Sequence, residues 1–177
     1  RWLLAWLARI VQDPGGVKPG TAIILKGRGR CGKTFWGNII GGLFGNNFVG
    51  QLKKSELTKW TAPLEKCVLH LADHSEWLAR DSVMDYVFGK LITDSSHIIR
   101  RRGFEPTIFS NHVSVIVAVD DDWVAPYHNT HRQYTILDVS GYMIDDHVAF
   151  SRIHNQMYNN GGFEARTGIC CGQCCGC

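Results

Sequence analysis

The sequence predicts an α/β domain with a largely parallel central sheet flanked by helices, and three observations carry that prediction. Four apolar runs read as buried strands: TAIILK (21–26), CVLHLA (67–72), HVSVIVAV (112–119) and YTILDV (134–139). Segments with helical spacing alternate with them, the order that builds a parallel sheet. The length of 177 residues suits one compact domain with a substantial core and hardly two.

Each element has a local reason. Residues 2–11, WLLAWLARIV, are apolar at most positions and predict a helix closed by the turn signal DPGG at 13–16. TAIILK leads directly into a glycine-rich loop, after which KTFWGNIIGGLFG predicts a helix ending near Gly45 and Asn46. After the CVLHLA strand, DSVMDYVFGKLI (81–92) has helical spacing, with Asp81 placed to cap it. SHIIRRRGFEPTIF (96–109) predicts a hairpin that turns at Gly103. The HVSVIVAV and YTILDV strands follow, and a last helix is expected from about Asp145 to Tyr158.

Composition narrows the class. Hydrophobic residues at 45% and charged residues at 20% are globular values and exclude a disordered chain. A net charge of +3 is compatible with nucleic acid but does not demand it. No apolar run approaches the roughly 18 residues of a membrane span. Of the seven cysteines, only Cys31 and Cys67 lie in the body; the other five crowd into GICCGQCCGC at the end. A disulfide scaffold would spread them, so the compartment reads as reducing. Cys171 and Cys174 form a C-x-x-C with no second pair at zinc spacing, and the bland reading is a disordered or frame-shifted end. Arg1 opens the chain, which is expected to be a fragment or a processed piece.

GRGRCGKT (27–34) fits G-x-x-x-x-G-K-[ST] in full, with a strand before it and a helix after it. Gly27, Gly29 and Gly32 let the backbone N–H groups of Gly27, Arg28, Gly29, Arg30, Cys31 and Gly32 converge on phosphates at a helix N-terminus. Lys33 is expected to neutralise the β- and γ-phosphates, and the Thr34 hydroxyl to ligate Mg²⁺. P-loop folds place a second acid at the tip of a neighbouring strand, and Asp73 closes one.

Beyond this loop the chain resembles the helicase domain of the superfamily 3 primase–helicases of phages and plasmids. The likeness covers about residues 2–165 and rests on motifs in one order. WLARIVQDP and KPGTAIILKGRGRCGKT resemble the family's approach to its phosphate loop. DHSEW stands in the place of D-E-A-x-W, and ITDSSHIIRRRG in that of an I-T-E-P segment with a basic turn. VIVAVDDDWVAP, RQYTILDVS and NNGGFEA resemble the strand ending in S-N-x-x-W-V-x-P, R-R-F-x-V-L-D-V-S and G-G-x-E-A.

The resemblance implies an AAA+-like P-loop NTPase domain over 1–165 and a separate tail over 166–177. It implies a homo-hexameric motor that uses ATP and Mg²⁺ and pulls single-stranded or forked DNA through its centre. It further implies a primase region on the N-terminal side, and the cytoplasm of a phage or mobile-element host as the compartment. Arg100, Arg101 and Arg102 would form a hairpin tip in the pore, where phosphate contacts are indifferent to sequence. Arg132 matches an arginine that reaches the neighbouring subunit's γ-phosphate.

Three departures fall on positions of chemistry. His74 stands where the family has the glutamate that polarises water, and Glu76 is an alternative base two residues on. Asp120 replaces an asparagine, so a group that cannot donate faces the triphosphate, unless it joins Asp73 at the metal. Gln133 replaces the second arginine after Arg132. These departures predict slowed hydrolysis by an ATP-dependent DNA helicase; the alternative is a module that binds ATP and grips DNA with little or no turnover.

Overall fold

The structure, a computed structural model, describes residues 1–73, 82–122 and 133–163. Helix α1 (Trp2–Gln12) leads to β1 (Ala22–Lys26) and α2 (Lys33–Gly42). Strand β2 (Phe48–Val49), helix α3 (Lys54–Thr58) and β3 (Leu69–Asp73) follow. Helix α4 (Ser82–Thr93) precedes the antiparallel pair β4 (Ser96–Ile99) and β5 (Thr107–Ser110). Strands β6 (Ser114–Val119) and β7 (Tyr134–Asp138) and helix α5 (His147–His154) complete the order.

Five strands form one sheet in the order β2-β3-β6-β1-β7, and every pairing in it is parallel. A parallel sheet needs cover on both faces, so its central strands β1 and β6 are almost continuously apolar, whereas the edge strand β7 is only partly buried. In β1, Ile23 and Leu25 join Trp6, Ile10, Leu69, Leu71 and Ile116 on one face, against which Trp36 and Ile40 of α2 pack. Ala22 and Ile24 face the other way, into Met84, Phe88, Val115 and Val117. The period of two thus sorts one strand into two cores.

Helix α2 crosses the sheet closely because Gly37 has no side chain: a Cβ there would lie 2.6 Å from Leu71 Cδ1. This close approach carries the start of α2 to the C-terminal edge of the sheet, where Lys33 meets Asp120 and Thr34 meets Asp73. The α/β expectation agrees with the structure. So does the hairpin, with Gly103 in the left-handed region at φ 78°. The last helix is shorter than expected: Asp146 Oδ1 accepts from the Ala149 N–H at 2.9 Å to cap α5, and a π turn over Asn155–Asn159 follows it. The expected Asp81 cap and the Cys-rich tail lie outside the described residues.

Candidate nucleotide site and basic groove

The glycine-rich loop leaves β1 between two strands that pin its stem. Gly27 N–H donates to Val119 O of β6 at 3.3 Å, and Lys26 O accepts from Val139 N–H, just past β7, at 2.6 Å. Arg30 (φ 63°) and Gly32 (φ 93°) then reverse the chain in the left-handed region, delivering Lys33 as the first residue of α2. At Gly32 only glycine fits twice over, since a Cβ would also lie 2.7 Å from Phe150 Cε1.

Lys33 is 8% exposed, and its ammonium donates to Gly27 O at 2.6 Å, Arg28 O at 2.7 Å and Asp120 Oδ1 at 3.3 Å. The Cys31 thiol lies 3.8 Å from the same nitrogen. Beside it, the Thr34 hydroxyl donates to Asp73 Oδ2 at 2.9 Å. The strand bearing Asp73 does not pair with β1; β6 lies between them. Asp73 reaches the loop nonetheless, because α2 leans across β6 and its second residue, Thr34, closes the gap.

These residues suit a nucleotide and a hard cation. Loop N–H groups at the head of a helix supply donors to phosphate oxygens. A hydroxyl and a carboxylate oxygen are the ligands magnesium takes when phosphates and water complete its shell. Among the described residues no group of three or more His, Cys, Asp or Glu is placed to hold a metal, and magnesium bound to a nucleotide does not need one. Between the loop and α5 lies a cleft of about 570 Å³, whose walls include Thr34, Phe35, His147 and Phe150. Its volume is within the range of small-molecule sites. The Phe35 and Phe150 rings meet there with centroids 5.0 Å apart.

The remaining charges of the loop face acids. Arg30 pairs with Asp145 at 3.4 Å and Arg28 with Asp121 at 3.8 Å. Arg30 and Asp145 (φ 57°) are also the two non-glycine residues with positive φ among the described residues. Backbone strain of this kind gathers at functional sites. His74, Glu76 and Arg132 lie outside the described residues, whereas Gln133 is described and half-buried.

The three hairpin arginines are not equivalent. Arg100 is half-buried, with its N–H donating to Thr61 Oγ1 at 2.9 Å. Arg101 is tied to Glu65 by its Nε at 2.9 Å and lies over the Phe109 ring. Arg102 is exposed, its guanidinium 5.4 Å from the Trp60 ring centre. A groove of about 480 Å³ runs between this turn and the α3 region, lined by Lys53, Trp60, Pro63 and the arginines. Trp60 is the residue that sequence reasoning missed. A tryptophan between lysines in LTKWTAPLEK carries no period, and only the fold sets it beside Arg102.

Residues 25–133 match one family model, the Family of unknown function (DUF5906), and the chain belongs to that family. The fold is shared with solved structures at low sequence identity. Two structures of the NrS-1 C-terminal region superpose with TM-scores of 0.75 and 0.74 at 15% and 16% identity, covering 95% and 88% of this chain and 41% and 38% of theirs. A structure of JCV helicase bound to a small thiazolopyridine compound superposes with a TM-score of 0.56 at 11% identity, over 88% of this chain and 45% of that one. The chain therefore spans about two fifths of the NrS-1 structures it matches. Comparison with curated proteins gives no match. No helix among the described residues is long and apolar enough to cross a membrane.

Proposed function

We propose that this chain is the ATP-dependent motor domain of a superfamily 3 DNA helicase, of the primase–helicase kind carried by phages and plasmids. The observation that carries the reading is the hydrogen bond between Thr34 and Asp73, set beside Lys33 at the mouth of a complete phosphate loop. The helicase-like fold and the motif order in the sequence support it. Residues 1–165 form the motor, and 166–177 lie outside it. The working form is a homo-hexameric ring on single-stranded or forked DNA in the host cytoplasm, with a primase region on the N-terminal side.

In this reading the loop from Gly27 to Gly32 holds the triphosphate, Lys33 neutralises it, and Thr34 with Asp73 holds magnesium. The cation, when bound, neutralises the developing phosphate charge and fixes the leaving oxygens. His74, next to Asp73 in the chain, takes the proton of the attacking water as a neutral imidazole, with Glu76 as the alternative base. Arg132 of one subunit completes the site of the next. Arg102 and Trp60 grip the strand, one by charge and one by stacking.

A second reading is favoured by Asp120. A carboxylate beside Lys33 faces a triphosphate with like charge, which suits a module that loads ATP and grips DNA with little turnover. ATP hydrolysis with and without single-stranded DNA, measured beside Lys33→Ala on samples whose ring assembly is checked, separates the two. DNA-stimulated turnover well above Lys33→Ala is expected. Silence in an assembled ring that still binds ATP would replace the motor with the binding module.

A further inference from the structure

Every cation of the phosphate loop faces an aspartate: Arg28 with Asp121, Arg30 with Asp145 and Lys33 with Asp120. The first two pairs are exposed, and solvent screens them. The third differs, because Lys33 is buried with its charge and has three protons to place. Two go to carbonyls of its own loop, Gly27 O and Arg28 O, and Asp120 accepts the third. The loop is thus internally neutralised. Beside these three oxygens the Cys31 sulfur at 3.8 Å is a weak fourth contact, so an incoming phosphate oxygen must displace one of the oxygen acceptors. The carbonyls belong to the loop that would close on the phosphates, and their bonds are short. Asp120 belongs to a different segment, its bond is the longest of the three oxygen contacts, and its side chain is 69% exposed, so it is the acceptor that can leave.

We propose that Asp120 is an internal counterion that competes with the triphosphate for Lys33, and so sets a threshold on nucleotide occupancy that magnesium lowers. The proposal rests on the nucleotide reading above. Once displaced, the carboxylate stays near a polyanion and repels it. A divalent cation bound with the nucleotide would reduce that repulsion, whereas a metal-free triphosphate would bear it in full. The inference follows from the acid at this position: an asparagine would neither hold the lysine as strongly nor repel the nucleotide.

The test is the affinity for ATP by titration calorimetry, in Mg²⁺ and separately in EDTA, for the unaltered chain, Asp120→Asn, Asp120→Ser and Asp121→Asn. Both Asp120 variants should bind about tenfold or more tightly in EDTA, as release of a charge-assisted bond implies, and gain less in Mg²⁺. Asp121→Asn removes the same charge one residue away from an exposed pair and should change affinity by less than about threefold. An equal gain from Asp121→Asn would make the effect one of general charge and overturn the proposal. So would an unchanged or weakened affinity in the Asp120 variants, or an equal gain with and without Mg²⁺. If the unaltered chain and all variants fail to bind ATP in either buffer, the nucleotide reading itself fails, a result distinct from each of those.

Discussion

Thr34 on α2 donates its hydroxyl to Asp73 at the end of β3, 2.9 Å away, although a whole strand separates β3 from the strand that carries the loop. The contact unites two side-chain oxygens from opposite ends of an αβ crossover, which the proposed function makes the magnesium ligands. Asp73→Asn should therefore lower ATP turnover by about 10²-fold, the usual cost of one preorganised electrostatic group. ATP binding in EDTA should change little, since the loop and Lys33 are intact. Parallel turnover and binding assays check the split.

Gly32 carries the turn into α2. Gly32→Ala must hold a side chain at φ 93° and press it against Phe150, so it should cost about 1–3 kcal/mol of stability and weaken ATP binding. Adding Phe150→Ala relieves the contact but not the backbone. Denaturant unfolding should show recovery of only part of the loss.

His74 follows Asp73 directly in the chain. If the water-activating group is what the sequence lacks, His74→Glu should raise turnover by about 10²–10⁴-fold, the range spanned by a general base. ATP affinity should stay within a few fold. A rate no higher than that of the unaltered chain would leave the imidazole, or Glu76, as the competent base.

Around the groove, Arg102 and Trp60 should act differently from Arg101. Arg102→Ala should weaken single-stranded DNA uniformly across sequences and reduce the salt slope of binding by about one contact. Trp60→Ala should cost about 1–3 kcal/mol with little change in slope, as loss of a stacking platform does. Arg101→Ala breaks the half-buried pair with Glu65 and should show first in thermal stability. Fluorescence titration over a salt series, with melting curves for each variant, separates these cases.

His70 is buried near the start of β3, its Nδ1 3.0 Å from Val49 O and its ring beside Phe88. Burial pushes its pKa below the ordinary 6.5, outweighing the backbone contacts that raise it. His97 is lowered in the same direction, first by burial and then by Lys18 and His112. The unfolded chain therefore takes up these protons before the folded one, so stability falls as pH drops below about 6.5. His70→Phe should flatten that fall, leaving the part due to His97. Unfolding free energies measured between pH 7.5 and 5 check the slope.

Much of this architecture is written locally. AIIL and VIVAV are continuous apolar runs that suit a sheet covered on both faces, and the glycines of GRGRCGKT mark a tight turn between a strand and a helix. Strand β2 was not legible. Phe48 and Val49 have no periodicity in two residues, and they become a strand only by pairing with Leu69 and His70. Trp60 had no local signal either. Its place beside Arg102 depends on contacts between segments about forty residues apart, such as Arg100 N–H to Thr61 Oγ1 (|i−j| = 39).

What the sequence by itself determined was the class of fold, the loop and the identity of the acids that follow it, because these depend on local propensity, periodicity and chemical type. Only the tertiary structure decided what those acids face. Strand order placed β6 between β1 and β3, sending Asp73 to Thr34 and Asp120 to Lys33. The physical reason is that a side chain's charge is set by its residue type, whereas its partner is set by where the chain returns through the sheet.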